Sequence, residues 1–215
     1  MEKDPMEDDL FAEPSGDGGN EAPDLEALLA AAGGGDAGAQ YRLGRMFSNG
    51  RGVAQDAAEA ARWYRAAAEQ GEPNAQLCLG VLYENGQGVG RDVAEAARWY
   101  RAAAEGGSAR AQFYLADMYV YGCGVAPDEE QAARWYRASA EGGFMAAQCR
   151  LGWMSAHGRG APQDDREAVR WWRLASEQGD PEATLCFSAM CASGRGIDQD
   201  GGLPQCGAGT EEGSW

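Results

Sequence analysis

The chain has 215 residues, 44% of them hydrophobic, and its 34 acidic against 18 basic side chains leave a formal net charge of -16. A field of that sign repels phosphate backbones and anionic lipid headgroups, so no nucleic acid and no membrane surface is expected as a partner. No stretch approaches the roughly 20 apolar residues of a membrane-crossing helix; with no basic and apolar leader at the start either, a cytoplasmic protein is expected.

Residues 1–24 hold nine acids against Lys3 alone and are expected to form an acidic disordered tail, with Leu10-Phe11 as a short apolar pair inside MEDDLFAEP. Asp24-Leu25-Glu26-Ala27-Leu28-Leu29 then reads as a short lone helix that covers the front edge of the region beginning at residue 36. There the chain begins to repeat itself. ARWYRAAAEQG at Ala61 returns as ARWYRAAAEGG at Ala97, ARWYRASAEGG at Ala133 and VRWWRLASEQG at Val169, a spacing of 36 residues. The same register carries Gly50, Gly86, Gly122, Gly158 and Gly194, and Asp56, Asp92, Asp128, Asp164 and Asp200. A period in this range marks two-helix units that bury their faces against one another rather than around a closed core.

Each unit opens with a helix, here called A. Ala39, Leu43, Met46 and Phe47 sit at the spacing of an amphipathic face, repeated at Ala75, Leu79, Leu82 and Tyr83. Asp36, Ser108 and Asp180 suit its N-cap, and Pro73 and Pro181 its first turn. Gly50-Arg51-Gly52 and its counterparts end it with a tight connection. A phosphate-binding glycine loop is a poor alternative, since no strand precedes it and no GK[ST] follows. Next comes Asp56-x-x-Glu59, repeated at Asp92/Glu95, Asp128/Gln131 and Asp164/Glu167, a capping pattern rather than a pair of hydrolytic carboxylates. Helix B comes after it with Ala60, Trp63, Tyr64 and Ala67 on its packed side, and ends at Gly71, Gly107, Gly143 and Gly179. Its Arg62 and Arg65 are expected to be neutralised by Glu59 and Glu69 on an exposed face instead of forming an anion ladder.

Ala75-Gln76, Leu79-Gly80, Tyr83, Gly86, Gly88-Val89, Asp92, Ala96, Trp99-Tyr100, Ala103-Ala104 and Gly107 make up a pattern that resembles the Sel1-like repeat, a relative of the tetratricopeptide repeat. The resemblance covers residue 36 to about 197, with four full repeats at about 36–71, 72–107, 108–143 and 144–179 and a partial fifth at 180–200. It implies an all-α fold, a right-handed α/α superhelical solenoid over residues 25–200, used as a protein-binding adaptor without catalysis. Ala116 and Ser188 replace the helix A glycine, Ser155 and Cys191 its aromatic residue, and Ala161 the loop valine, so the later units are less regular. After Ile197 no helix B phrase appears, which leaves either a cap or an apolar edge for weak homo-association through the C-terminal helix; residues 201–215 are expected to be a second disordered tail.

Where columns do not repeat, recognition is the natural use. Helix A offers such a stripe: Arg42, Arg45 and Asn49 in the first unit, Val81 and Asn85 in the second, Tyr114, Asp117 and Tyr121 in the third, Arg150, Trp153 and His157 in the fourth. These residues project together from successive A helices, the concave side of such arrays, where a protein or peptide partner is expected to bind; repacking between neighbouring A helices is the competing reading. The six cysteines occupy different columns and are expected to be free thiols. Cys186 and Cys191, about 140° apart on a helix, lack zinc-ligand spacing. His157 is the one histidine and stands in a helix-end column, so neither a cofactor, a metal nor a nucleophile–base device is expected, and a hydrolase reading finds no supporting constellation.

Overall fold

Aspartates cap the start of six of the ten described helices and left-handed glycines end five of them, as local chemistry favours. In the computed structural model, which describes residues 25–196, these are α1 (Leu25–Gly33), α2 (Ala37–Asn49), α3 (Ala57–Glu69), α4 (Pro73–Asn85), α5 (Val93–Glu105), α6 (Ala109–Tyr121), α7 (Glu129–Glu141), α8 (Met145–His157), α9 (Asp165–Glu177) and α10 (Pro181–Ser193). The even-numbered helices are A helices and the odd-numbered ones B helices. The architecture is an all-α solenoid of paired helices. The two tails expected to be disordered, 1–24 and 201–215, lie outside the described residues.

Capping fixes where each helix starts. Asp92 Oδ1 accepts the backbone N–H groups of Ala94 and Glu95, both at 3.0 Å, and Asp56 and Asp164 do the same at their helices. The reciprocal half of the capping pattern is spent elsewhere, for Glu59 and Glu95 take Arg62 and Arg98 one turn on. Helix A caps are Asp36, Glu72, Ser108 and Asp180; in the fourth repeat Phe144 stands at that position and gives no side-chain cap. At the other end Gly50, Gly86, Gly122, Gly158 and Gly194 take φ between 64° and 70°, a left-handed conformation that costs any other residue steric strain.

Two compact units divide the chain, Met1–Pro127 and Asp128–Trp215. In the first, α2 pairs with α3 and α4 with α5, with α1 laid on α2 and α6 on α5. The helix A glycine makes each pairing close, since a Cβ on Gly44 would stand 2.6 Å from the Tyr64 ring and one on Gly80 equally near Tyr100. Tyr64 and Tyr100 are thereby fully buried. In the second unit α8 pairs with α9, and α10 packs on α9 through a cluster of Ala168, Val169, Trp172, Ala175, Ala183 and Met190. Trp172 fills the tyrosine position there, over Gly152.

A second repeated device ties four of the five A helices to the B helix before them, through residues 8 apart in sequence. The amides of Gln40, Gln76 and Gln112 donate to the carbonyls of Ala32, Ala68 and Ala104 at 3.0–3.1 Å, each at the end of the preceding B helix. Gln148 does likewise to Ala140. Buried carbonyls at a helix end need such a partner.

Candidate functional site

The A-helix stripe is built by i, i+3, i+4 and i+7 spacing, which brings residues of one helix onto a single face. The structure sorts the eleven stripe residues into exposed and buried groups. In the first unit Arg42, Asn49 and Asn85 are exposed and Arg45 is half-buried, its guanidinium 5.9 Å from the Tyr41 ring centroid. Val81, by contrast, is 2% exposed and belongs to the core, so its side chain is not available to a partner in this conformation. The reason is local: α4 is buried at every position from Ala75 to Leu82. Tyr114 is half-buried against Tyr100, with centroids 5.3 Å apart and planes 19° from parallel. Asp117 is also half-buried, while Tyr121 at the helix end is 64% exposed.

In the second unit Arg150, Trp153 and His157 are all exposed. Trp153 shows 45% of its surface, and its ring stacks on His157 at 4.4 Å and 24°. His157 Nδ1–H donates to the Trp153 carbonyl at 2.8 Å, which fixes the imidazole on the indole. From the loop, the Arg159 guanidinium stands 5.9 Å from the same indole and forms a forked pair with Glu129, at 2.9 Å from Nε to each carboxylate oxygen. That pairing holds the Glu129 carboxyl below its ordinary range and the Arg159 guanidinium above its own. The result is an indole with a histidine stacked on it and an arginine over its ring, still 45% exposed to solvent. Such a surface offers large contact area at low entropy cost, together with hydrogen-bond donors.

Several contacts differ from the sequence expectation. Arg65 does not turn to Glu69; its guanidinium donates to the Tyr83 hydroxyl of the next A helix and lies over that ring. Arg101 does the same to Tyr119 at 2.7 Å. The cause is reach across the stack, 18 residues on, which a single-helix view omits. Arg137 takes a different course. Its aromatic acceptor is replaced by Ser155, and it pairs with Glu167 at 2.6 Å, which also accepts from the Ser155 hydroxyl. Among the cysteines, Cys78, Cys123, Cys149 and Cys186 are free, but Cys191 is disulfide-bonded, which corrects the expectation of six free thiols. The repeat-register argument bears only on cysteines that duplication would copy, and Cys191 stands in a column that holds Phe47, Tyr83, Tyr119 and Ser155 in the other repeats.

A polar trio in the first unit, Tyr64 and Cys78 buried and Tyr41 half-buried, was also missed. Tyr41 and Tyr64 lie 5.9 Å apart, with Cys78 beside the Tyr64 hydroxyl. Burial pushes the Cys78 thiol and the Tyr41 phenol up to about 12 and the Tyr64 phenol higher still. These groups are inert at neutral pH, which removes Cys78 as a nucleophile. Among the described residues no three His, Cys, Asp or Glu side chains stand together to hold a metal ion.

Four successive matches to the Sel1 repeat cover residues 37–72, 73–108, 109–144 and 146–180. The chain belongs to the Sel1 repeat family. It is similar over 82% of its length to the crystal structure of a protective antigen of uropathogenic Escherichia coli strains displaying an SLR fold, with 39% identity and a TM-score of 0.78. The chain spans only 38% of that protein. A Sel1 repeat protein from Oxalobacter formigenes is 35% identical over 82% of this chain and 72% of its own, at a TM-score of 0.76. Helicobacter pylori cysteine rich protein B shares the fold at 23% identity and a TM-score of 0.50, over 61% of this chain and 95% of that one. No curated protein matches. The matched residues thus form a Sel1 repeat solenoid, an architecture typical of protein–protein interaction.

Proposed function

We propose that this Sel1 repeat chain is an adaptor that holds a peptide or protein surface against the stripe of its A helices. The supporting observation is Trp153. The same column holds Val81, sunk in the core, yet in the fourth repeat it holds an indole that is 45% exposed and braced by His157 and Arg159. An aromatic side chain kept rigid and solvent-facing is the residue type that dominates interface energies. Tyr121, exposed at the end of α6, is a second anchor of the same chemistry in the first unit.

Affinity purification from the native host followed by mass spectrometry, carried out in parallel with Trp153→Ala and Tyr121→Ala chains, tests the reading. Specific partners captured by the wild type are expected to be lost or reduced at least tenfold with Trp153→Ala, while far-ultraviolet circular dichroism stays helical. Undiminished capture by both variants would remove the stripe as the binding surface.

A further inference from the structure

The two ends of the array break the A–B pairing in opposite senses. In the first, second and fourth repeats an A helix is covered by the B helix that succeeds it, through Gly44 under Tyr64, Gly80 under Tyr100 and Gly152 under Trp172. α10 is an A helix with no B helix after it among the described residues, whereas α1 is a B helix with no A helix before it. Register marks α1 as a true B helix: a shift of 36 residues places Leu28 in the Tyr64 column, and Gly35 repeats the terminator Gly71, with φ of 95° and 90°.

Burial marks the surfaces that the missing partners would cover. Ala31 stands in the column of Ala67, Ala103, Ser139 and Ala175, each fully buried, yet Ala31 is exposed. On α10, Ser188 stands in the column of the buried helix A glycines and is exposed. Leu185 is 74% exposed where its counterparts Leu77 and Phe113 are 4% exposed. Neither face carries a charge penalty, since Glu26 and Glu182 are the charged side chains of the two helices and Ala27, Ala30, Ala31, Leu185, Ser188 and Ala189 are neutral.

We propose that α1 of one copy of this chain docks on α10 of a second copy, head to tail, and completes the fifth hairpin. The occupant is a second copy because the two open faces are the complementary halves of one repeat unit, in the same 36-residue register that the interior hairpins use. In a complete repeat the B-helix aromatic touches both neighbours, as Tyr64 does with Gly44 before it and Cys78 after it. Leu28, already packed with Ala39 and Leu43 on one side, would take that wedge position against Ser188 of the other copy. Such an interface is heterologous: each copy retains one free end of each kind, so association continues beyond the dimer with rising concentration. The inference is independent of the adaptor reading and uses none of its residues.

Analytical ultracentrifugation of the full chain, of Ala31→Arg, of Leu185→Glu and of an equimolar mixture of the two variants tests it. Both substituted positions are exposed, and circular dichroism checks that each variant folds. The wild type is expected to exceed its monomer mass of 22.8 kDa increasingly with concentration. Each variant alone should be monomeric, and the mixture should recover a species of twice the monomer mass and no larger. A wild type that stays monomeric, as it would if another segment of the chain covered α10, overturns the proposal. So does self-association that survives Ala31→Arg, which is the signature of symmetric α10-to-α10 pairing, or a mixture that stays monomeric.

Discussion

Gly88 and Gly90 stand two residues apart in one loop and carry opposite burdens. Gly88 has φ of 69°, and a Cβ there would lie 2.0 Å from the Ala57 carbonyl oxygen, whereas one on Gly90 would meet nothing within 4 Å. Gly88→Ala should therefore cost about 3 kcal/mol or more, from left-handed strain plus a backbone clash with no way to yield. Gly90→Ala should lie within about 0.5 kcal/mol of wild type, since it touches nothing and removes unfolded-chain freedom. Urea denaturation of both variants measures the difference, and equal costs would contradict the close approach. The contrast also marks how far the sequence could be read. Both glycines of the motif look like turn formers, and the first is one, as Gly86 caps α4. The second has another duty, to let the loop touch the start of the B helix one repeat back, as Gly124 does at Val93 and Gly160 at Glu129. That contact spans about 30 residues of sequence and leaves no local trace. The middle residue of the same loop shows the effect again, for Arg159 reaches Glu129 and Arg195 reaches Asp165, each 30 residues away.

At the scale of the helix, boundaries were legible because caps and amphipathic spacing are local properties, and the expected ends of the A helices at Gly50 and its counterpart Gly194 hold. Exposure was not legible in the same way. Val81 and Trp153 share a column and an offset, but whether a side chain in it is core or surface depends on which residues the adjacent helices present. The glutamine column lies between these cases, being visible as a repeated Ala-Gln pair whose purpose appears only in the fold. Gln76 is buried, and its amide donates to the Ala68 carbonyl at 3.1 Å. Gln76→Leu fills similar volume but removes one of that carbonyl's two donors, the Gly71 N–H at 3.0 Å being the other, so it should cost about 1 kcal/mol. Asp92→Ala, which strips two N–H groups of their acceptor at the exposed start of α5, should cost about 1 kcal/mol, and Asp92→Asn a few tenths. Thermal unfolding of the three variants compares them, and a Gln76→Leu chain as stable as wild type would mean that the Gly71 N–H alone satisfies the carbonyl.

For the molecule as a whole, buried weak acids set the upper pH limit of stability. In the first unit burial raises Cys78 and Tyr41 to about 12, from ordinary values of 9.0 and 10.0, and raises Tyr64 further. In the second, burial with Asp180 and Glu182 nearby raises Cys149 to about 12. A raised acid is protonated in both states below pH 9, where it leaves stability untouched; above that the unfolded chain ionises and the folded one does not, so stability falls from about pH 9 to about pH 12. The acid side is governed by lowered groups, Glu129 held by Arg159 and Asp165 by Arg195. Their contribution is present at neutral pH and lost as pH falls below the ordinary carboxylate range, but both pairs are solvent-exposed and screened, so the alkaline loss is the steeper of the two. Helicity followed by circular dichroism should therefore hold from neutral pH to about 9 and then collapse in a cooperative step. Cys78→Val, close in shape and unable to ionise, removes one of the coupled groups and should move the midpoint of that step upward. An unchanged alkaline midpoint in Cys78→Val would show that the buried thiol is not among the groups whose ionisation unfolds the array.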